Sequence, residues 1–267
     1  MKRTINLLRG LGIFALVVVN LSSAASMTPE VRERAMQVLI EGIDAEAFWP
    51  AMHAAEGLTI AGEGERVRQR LSPRLPEETD DQHRCGLARE MTRAGDPAKS
   101  AVMIAILANP VSNGRVHAAE SLYKVGWQGD AETYLHRIWQ TESDFVLQLM
   151  AVAALAKHGN EADRAAALAH LRAALDQAED QNQLRLVAWV LARVGDASDI
   201  ERLRPKLKLN LEPRPRIFIE HALALLGDAD GQAALRRNLD SNDAATRTYA
   251  AVFAGDGGRA TTGATVG

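Results

Sequence analysis

The stretch Val116-His117-Ala118-Ala119-Glu120-Ser121-Leu122-Tyr123-Lys124-Val125-Gly126 carries the pattern on which the fold turns. Ala119 lies seven residues before the glycine and Leu122 four before it, so both fall on one face of a helix that the glycine can end. The same offsets recur along the chain. Segments ending in Gly62, Gly95, Gly126, Gly159, Gly195, Gly227 and Gly255 follow one another at intervals of 33, 31, 33, 36, 32 and 28 residues. Four residues before each glycine stand Leu58, Met91, Leu122, Leu155, Leu191, Leu223 and Ala251. Seven before stand Ala55, Ala88, Ala119, Val152, Ala188, Glu220 and Thr248, so the apolar set holds until the last two copies.

Each glycine is expected to end its helix in the left-handed conformation that costs other residues free energy. Asp96, Asn160, Asp196, Asp228 and Asp256 follow directly, where a side-chain oxygen can cap the next helix. Twelve residues after the glycine come Leu107, Ile138, Leu171, Leu207 and Leu239, a register mark for that second helix. The unit is therefore helix, glycine turn, helix and a short polar link. A hairpin of about 32 residues cannot bury both apolar faces alone, and stacked copies supply the missing partner surface. Alanine at the contact positions lets helix axes approach closely. The pattern predicts an all-α fold, a right-handed α-solenoid of helical hairpins.

The remaining segments fit around that solenoid. Met1-Lys2-Arg3 and Arg9 precede the apolar run Leu11-Gly12-Ile13-Phe14-Ala15-Leu16-Val17-Val18-Val19, and Ser22-Ser23-Ala24-Ala25-Ser26 offers small-residue cleavage frames. Residues 1–25 thus read as a secretory signal peptide, with an apolar run well short of the roughly 20 residues that span a bilayer. The expected location is periplasmic or secreted, with no stable membrane insertion after cleavage. Residues 26–43 read as an N-terminal capping helix opened by Thr28-Pro29-Glu30. Residues 44–255 hold about seven repeats, the last truncated, and 256–267 read as a flexible tail.

Composition excludes several functions. With 31 Lys+Arg against 34 Asp+Glu among 267 residues, the net charge of -3 supplies no field for nucleic acid. Cys85 is the single cysteine, so neither an intrachain disulfide nor a multi-cysteine metal site can form. No Gly-x-Ser-x-Gly elbow, glycine-rich phosphate loop or His-Glu-x-x-His string occurs, and the sequence assembles no catalytic constellation.

The strings Val116 to Gly126 and His221-Ala222-Leu223-Ala224-Leu225-Leu226-Gly227-Asp228 resemble the first helix of HEAT-type repeats, specifically the short phycobilisome-lyase-like subclass. The likeness covers roughly residues 44–255. It implies a solenoid fold, and a function drawn from a range that spans scaffolds, chromophore lyases and a metal-dependent hydroxylase.

Candidate site residues gather in the first three copies. His-Ala-Ala-Glu occurs twice, as His53/Glu56 and His117/Glu120, and a His and Glu three apart share a helix face. The sequence resembles HEAT-type deoxyhypusine hydroxylase here, a family whose di-iron ligands are adjacent His-Glu pairs ahead of an Ala-Ala-Glu-Ala-Leu string. In this chain Met52 precedes His53 and Val116 precedes His117, so the adjacent pair is absent and no iron site is implied. Neighbouring helices at 8–10 Å put the two pairs on the order of 20 Å apart, too far for one shared site. Trp49, His53 and Glu56, then His83, Arg84 and Arg89, then Arg115, His117 and Glu120 form a polar ladder along the first helices. Arg84, Arg115 and Arg216, eleven residues before their glycines, match a family position that ties neighbouring repeats through acidic partners. A basic run from Arg202 through Arg204, Lys206, Lys208 and Arg214 to Arg216 is either a solvated face or a seat for an acidic partner, an anionic polysaccharide or a membrane surface.

The expected function is an exported scaffold that offers the second helices of its repeats, as a concave face, to a protein partner or a polymer. No cofactor and no metal ligand set is assigned. The alternative is a metal- or ligand-dependent activity centred on His53, Glu56, His83, His117 and Glu120.

Overall fold

The computed structural model describes residues 28–178 and 180–262, with side chains to 254 apart from Glu179. The expected signal peptide and the last five residues lie outside them. Among the described residues there is no strand, and none of the helices is long and apolar enough to cross a membrane.

An opening helix, α1 (Pro29–Gly42), begins at Thr28, whose hydroxyl accepts from the Val31 amide at 3.4 Å. The first helices of the repeats are α2 (Phe48–Ile60), α4 (Asp81–Arg93), α6 (Arg115–Val125), α8 (Phe145–His158), α10 (Gln181–Val194), α12 (Pro213–Leu225) and α14 (Ala244–Thr262). The second helices are α3 (Gly64–Leu71), α5 (Ser100–Ala108), α7 (Ala131–Thr141), α9 (Glu161–Gln177), α11 (Ile200–Leu203) and α13 (Ala229–Leu239). Each first helix packs on the next; α3, α5, α9 and α13 return against their own hairpin partners, whereas α7 packs chiefly on α8, and α11 on α9 and α12, which makes the chain an α-solenoid.

The periodic residues build its core. Leu58, Met91, Leu122, Leu155, Leu191 and Leu223 are all buried, as are Ala55, Ala88, Ala119, Val152 and Ala188. Each large aliphatic side chain removed from water is worth about 1.5–3 kcal/mol, so this column is the main source of stability. Met36, Leu39 and Ile40 of α1 pack on the first-repeat cluster, with Leu39 seated over Gly57, where a Cβ would come within 2.8 Å of it. Cys85 is buried, as its lone thiol requires, and burial pushes that thiol up to about 12.

The glycines divide into two kinds. Gly62, Gly95, Gly126 and Gly227 take positive φ, as their turn role predicts. Gly159 and Gly195 instead end α8 and α10 in extended backbone, with φ of -69° and -81°. Glycine is needed there because a Cβ would lie 2.6 Å from the carbonyl oxygen four residues back, Leu155 or Leu191. Gly255 does neither: α14 continues through it to Thr262, into the segment expected to be a tail. Thr246, Ala250 and Phe253 are buried in that copy while Ala251 is exposed, so its register differs from the others. A glycine within a helix costs only about 1 kcal/mol, and no second helix follows to demand a turn.

Capping follows the expected residues in part. Asn160 accepts from the Asp163 amide, Asp228 from that of Gly231 and Asp196 from that of Ser198. Asp96 makes no side-chain cap, and Asp256 lies inside α14.

Candidate functional site

Which face is concave follows from side chains that meet across two repeats. Trp49 of α2 stacks on His117 of α6, with ring centroids 5.4 Å apart and planes at 20°. Tyr123 of α6 meets Trp189 of α10 at 5.6 Å. Contacts that skip a helix require the first helices to lie on the inside of the bend. Two cavities agree. One of about 340 Å³ is lined from α6, α8, α10 and α12, by Val116, Glu120, Val146, Met150, Arg185, Leu186, Trp189 and Phe218. Another, of about 470 Å³, draws Glu56 and Ile60 from α2, Arg93 from α4, Tyr123 and Lys124 from α6, Lys157 from α8, Trp189 and Arg193 from α10, and Val252 from α14. The first helices therefore form the concave wall, and the expectation that the second helices do so is corrected. Small residues at the first-helix contacts let those axes crowd together, and the crowded side becomes the inside of the curve.

That wall has two poles. At the N-terminal ends of the helices, Phe48 lies flat on His83 with centroids 3.9 Å apart, and Trp49 meets His83 edge-on at 5.9 Å before stacking on His117. The candidate ladder is thus real for Trp49, His83 and His117, which the structure brings into one aromatic and imidazole stack. His83 Nδ1 lies 3.2 Å from a Glu78 carboxylate oxygen. Burial holds the His117 imidazole below its ordinary range, with Arg89 and Lys124 adding to that effect and Glu120 opposing it. His117 is accordingly neutral at neutral pH.

Other members of the set have separate duties. His53 is exposed, with 75% of its side chain accessible, and lies 3.9 Å from Glu56. Arg84 pairs with Asp81 on its own helix at 2.8 Å. Arg89 is buried against Glu90 at 2.6 Å. Arg115 donates to Glu142 at 2.9 Å, which ties the third repeat to the link before the fourth. Of the three arginines eleven residues before a glycine, only Arg115 makes such a tie, since Arg216 meets Glu220 on its own helix at 3.4 Å. Glu120 pairs with Lys124 at 2.8 Å, and its carboxyl stays below the usual range although burial works against that. Among the described residues no group of three or more His, Cys, Asp or Glu side chains is arranged to hold a metal ion.

The second pole lies at the C-terminal ends of the same helices and was not singled out in the sequence. Arg93, Lys124, Lys157 and Arg193 each stand two residues before their glycine, in four consecutive copies, so the glycine ruler already held the signal. A cation in the last turn of a helix is favourable on dipole grounds alone, which hides any further role. Here all four line the cavity of about 470 Å³. Lys157 lies 4.8 Å from the Tyr123 ring centre, and the Arg193 guanidinium 4.3 Å from that of Trp189.

The basic run of the sixth copy is largely absorbed by ties. Arg202 reaches Asp176 at 2.5 Å, Arg204 reaches Asp228 at 2.6 Å, and the Lys206 ammonium donates to the Asp176 carbonyl at 3.1 Å. Arg214 lies 5.0 Å from the Tyr249 ring centre.

No family model matches the sequence, and no curated protein matches it. Among solved structures, human deoxyhypusine hydroxylase in complex with glycerol aligns over 85% of this chain and 90% of its own, with 18% identity and a TM-score of 0.38. That likeness is too distant to transfer any property.

Proposed function

We propose that this chain is an exported HEAT-like scaffold that holds a protein partner against the concave wall of its first helices. One observation carries the reading: the wall gathers accessible apolar, aromatic and cationic groups from successive repeats around one cavity. Ile60 and Val252, at 61% and 56% exposure, stand on its rim, with Trp189 and Lys157 inside. Accessible apolar groups ringed by charge are the usual composition of a binding surface. The HEAT-type repeat pattern and the leader-like residues 1–25 support the family and export parts of the proposal. The polysaccharide alternative loses its motive, since most of the cations on which it rested are engaged within the fold.

A photo-crosslinking residue placed at Ile60, on the wall, and another at Ala105, on the outer surface of α5, test this in the cell that makes the protein. A discrete crosslinked species from position 60 alone, found in the exported fraction, is the expected result. Equal capture from both faces, or none from position 60, overturns the reading.

A further inference from the structure

We propose that the cationic pole of the concave wall is a seat for an organic anion carrying two or more negative charges on an aromatic or apolar body. The inference rests on the concave-wall reading and specifies the chemistry that the wall recognises. Four successive repeats each deliver one cation, Arg93, Lys124, Lys157 and Arg193, to a single cavity to which, among the described residues, Glu56 alone adds a carboxylate. Its volume, about 470 Å³, suits a small molecule or one side group of a larger partner.

Arg93 is held by Glu90 and lies 3.5 Å from Glu56, and Lys124 is held by Glu120 at 2.8 Å. Arg89, behind them, is matched by Glu90. Lys157 makes no ion pair among the described residues and rests instead against Tyr123. Partial burial, then Arg193, Arg93 and Lys124, hold its ammonium below the usual lysine range. The four cations therefore act on one another, and an anion placed among them relieves that repulsion. The helix dipoles favour each cation singly, but mutual repulsion opposes gathering the four at one concave site. The apolar lining sets the rest of the preference. Ile60 and Val252 are exposed and Trp189 is half-buried, so the wall offers apolar surface beside positive charge, which suits an apolar or ring-shaped body that bears a phosphate or carboxylates.

Calorimetric titration of the full chain at low salt with phenyl phosphate, phthalate, inorganic phosphate and phenol tests this. Saturable binding of phenyl phosphate or phthalate at one site is expected, and the tighter of the two identifies a phosphoryl or a dicarboxylate group. Inorganic phosphate is expected to bind at least tenfold more weakly, and phenol not at all. Lys157→Met should weaken binding at least tenfold, Lys157→Arg should retain it, and Lys208→Met, on the outer surface, should leave it unchanged. Unchanged thermal melting of Lys157→Met excludes misfolding as the cause. Absence of saturable binding, an unchanged affinity in Lys157→Met, or phenol binding as tightly as phenyl phosphate overturns the proposal. Inorganic phosphate binding as tightly as phenyl phosphate removes the ring-bearing part of it. If the anions fail while position 60 still captures a partner, this inference falls and the scaffold reading stands.

Discussion

At the scale of single residues, the most consequential group outside the concave wall is His221. It is fully buried in α12, neither ring nitrogen has a hydrogen-bond partner among the described residues, and its ring lies flat on Phe253 with centroids 3.6 Å apart. Burial pushes its pKa from 6.5 down to about 3, with Arg193 adding to the effect. A base whose folded pKa is depressed binds fewer protons folded than unfolded, so stability is lost as pH falls below 6.5 and the loss is complete near 3. At pH 5 the loss amounts to roughly 2 kcal/mol by proton linkage. Urea unfolding at pH 7 and pH 5 should show at least that drop in the natural protein and a drop about 2 kcal/mol smaller in His221→Leu, the remainder coming from His117, His158 and His170, whose pKa values burial also lowers. An identical drop in both proteins refutes the assignment. His117 stands nine residues before its glycine and His221 six before, but these offsets do not tell which ring is sealed, since the burial that makes one inert and leaves the other at the wall is set by neighbours far along the chain.

At the scale of an element, the helix ends show why one residue type recurs for two reasons. Gly227 has φ of +97° and open space around a would-be Cβ, so an alanine there meets only backbone strain, about 1 kcal/mol. Gly159 has ordinary backbone angles, yet its Cβ would lie 2.6 Å from the Leu155 carbonyl oxygen and 2.9 Å from the Asp163 Cβ. Relieving that overlap requires the end of α8 to move. Gly159→Ala should therefore destabilise by roughly 2–3 kcal/mol, more than Gly227→Ala, when both are compared by denaturant unfolding. The reverse order would mean that α8 has room to adjust. The periodic glycine was legible as a helix end, whereas its backbone conformation was not, because that depends on how the following cap folds back. Asp228 illustrates the same coupling. Its carboxylate caps α13 through the Gly231 amide at 2.7 Å and also holds Arg204 at 2.6 Å, two duties of which the sequence revealed one.

Across the whole molecule, stability is expected to vary along the stack, because most of the packing of each repeat is with its immediate neighbours. The largest buried cluster runs from Cys85 to Leu223, a smaller one covers Ile43 to Ala94, and α1 contains no buried residue. Amide hydrogen exchange should be slowest in α6, α8 and α10 and fastest in α1, whose Val31 and Val38 remain exposed. Uniform protection along the chain would show that the repeats unfold as one unit instead. The candidate site was legible in pieces: the ladder of Trp49, His83 and His117 came from similar positions at the starts of the first helices in neighbouring copies. Trp49 reaches from the first copy to His117 in the third because the stack curves, which no offset within one copy encodes.

The sequence by itself determined the helices, their pairing into hairpins and the column of leucines and alanines at their contacts, since these follow from offsets within about 32 residues and need only local periodicity. The tertiary structure decided which helices face inward. Curvature is the sum of small differences in packing between the two layers, spread over every repeat, and no single offset encodes it. It alone turned four separate helix-terminal cations, each explicable by its own helix dipole, into the wall of one cavity.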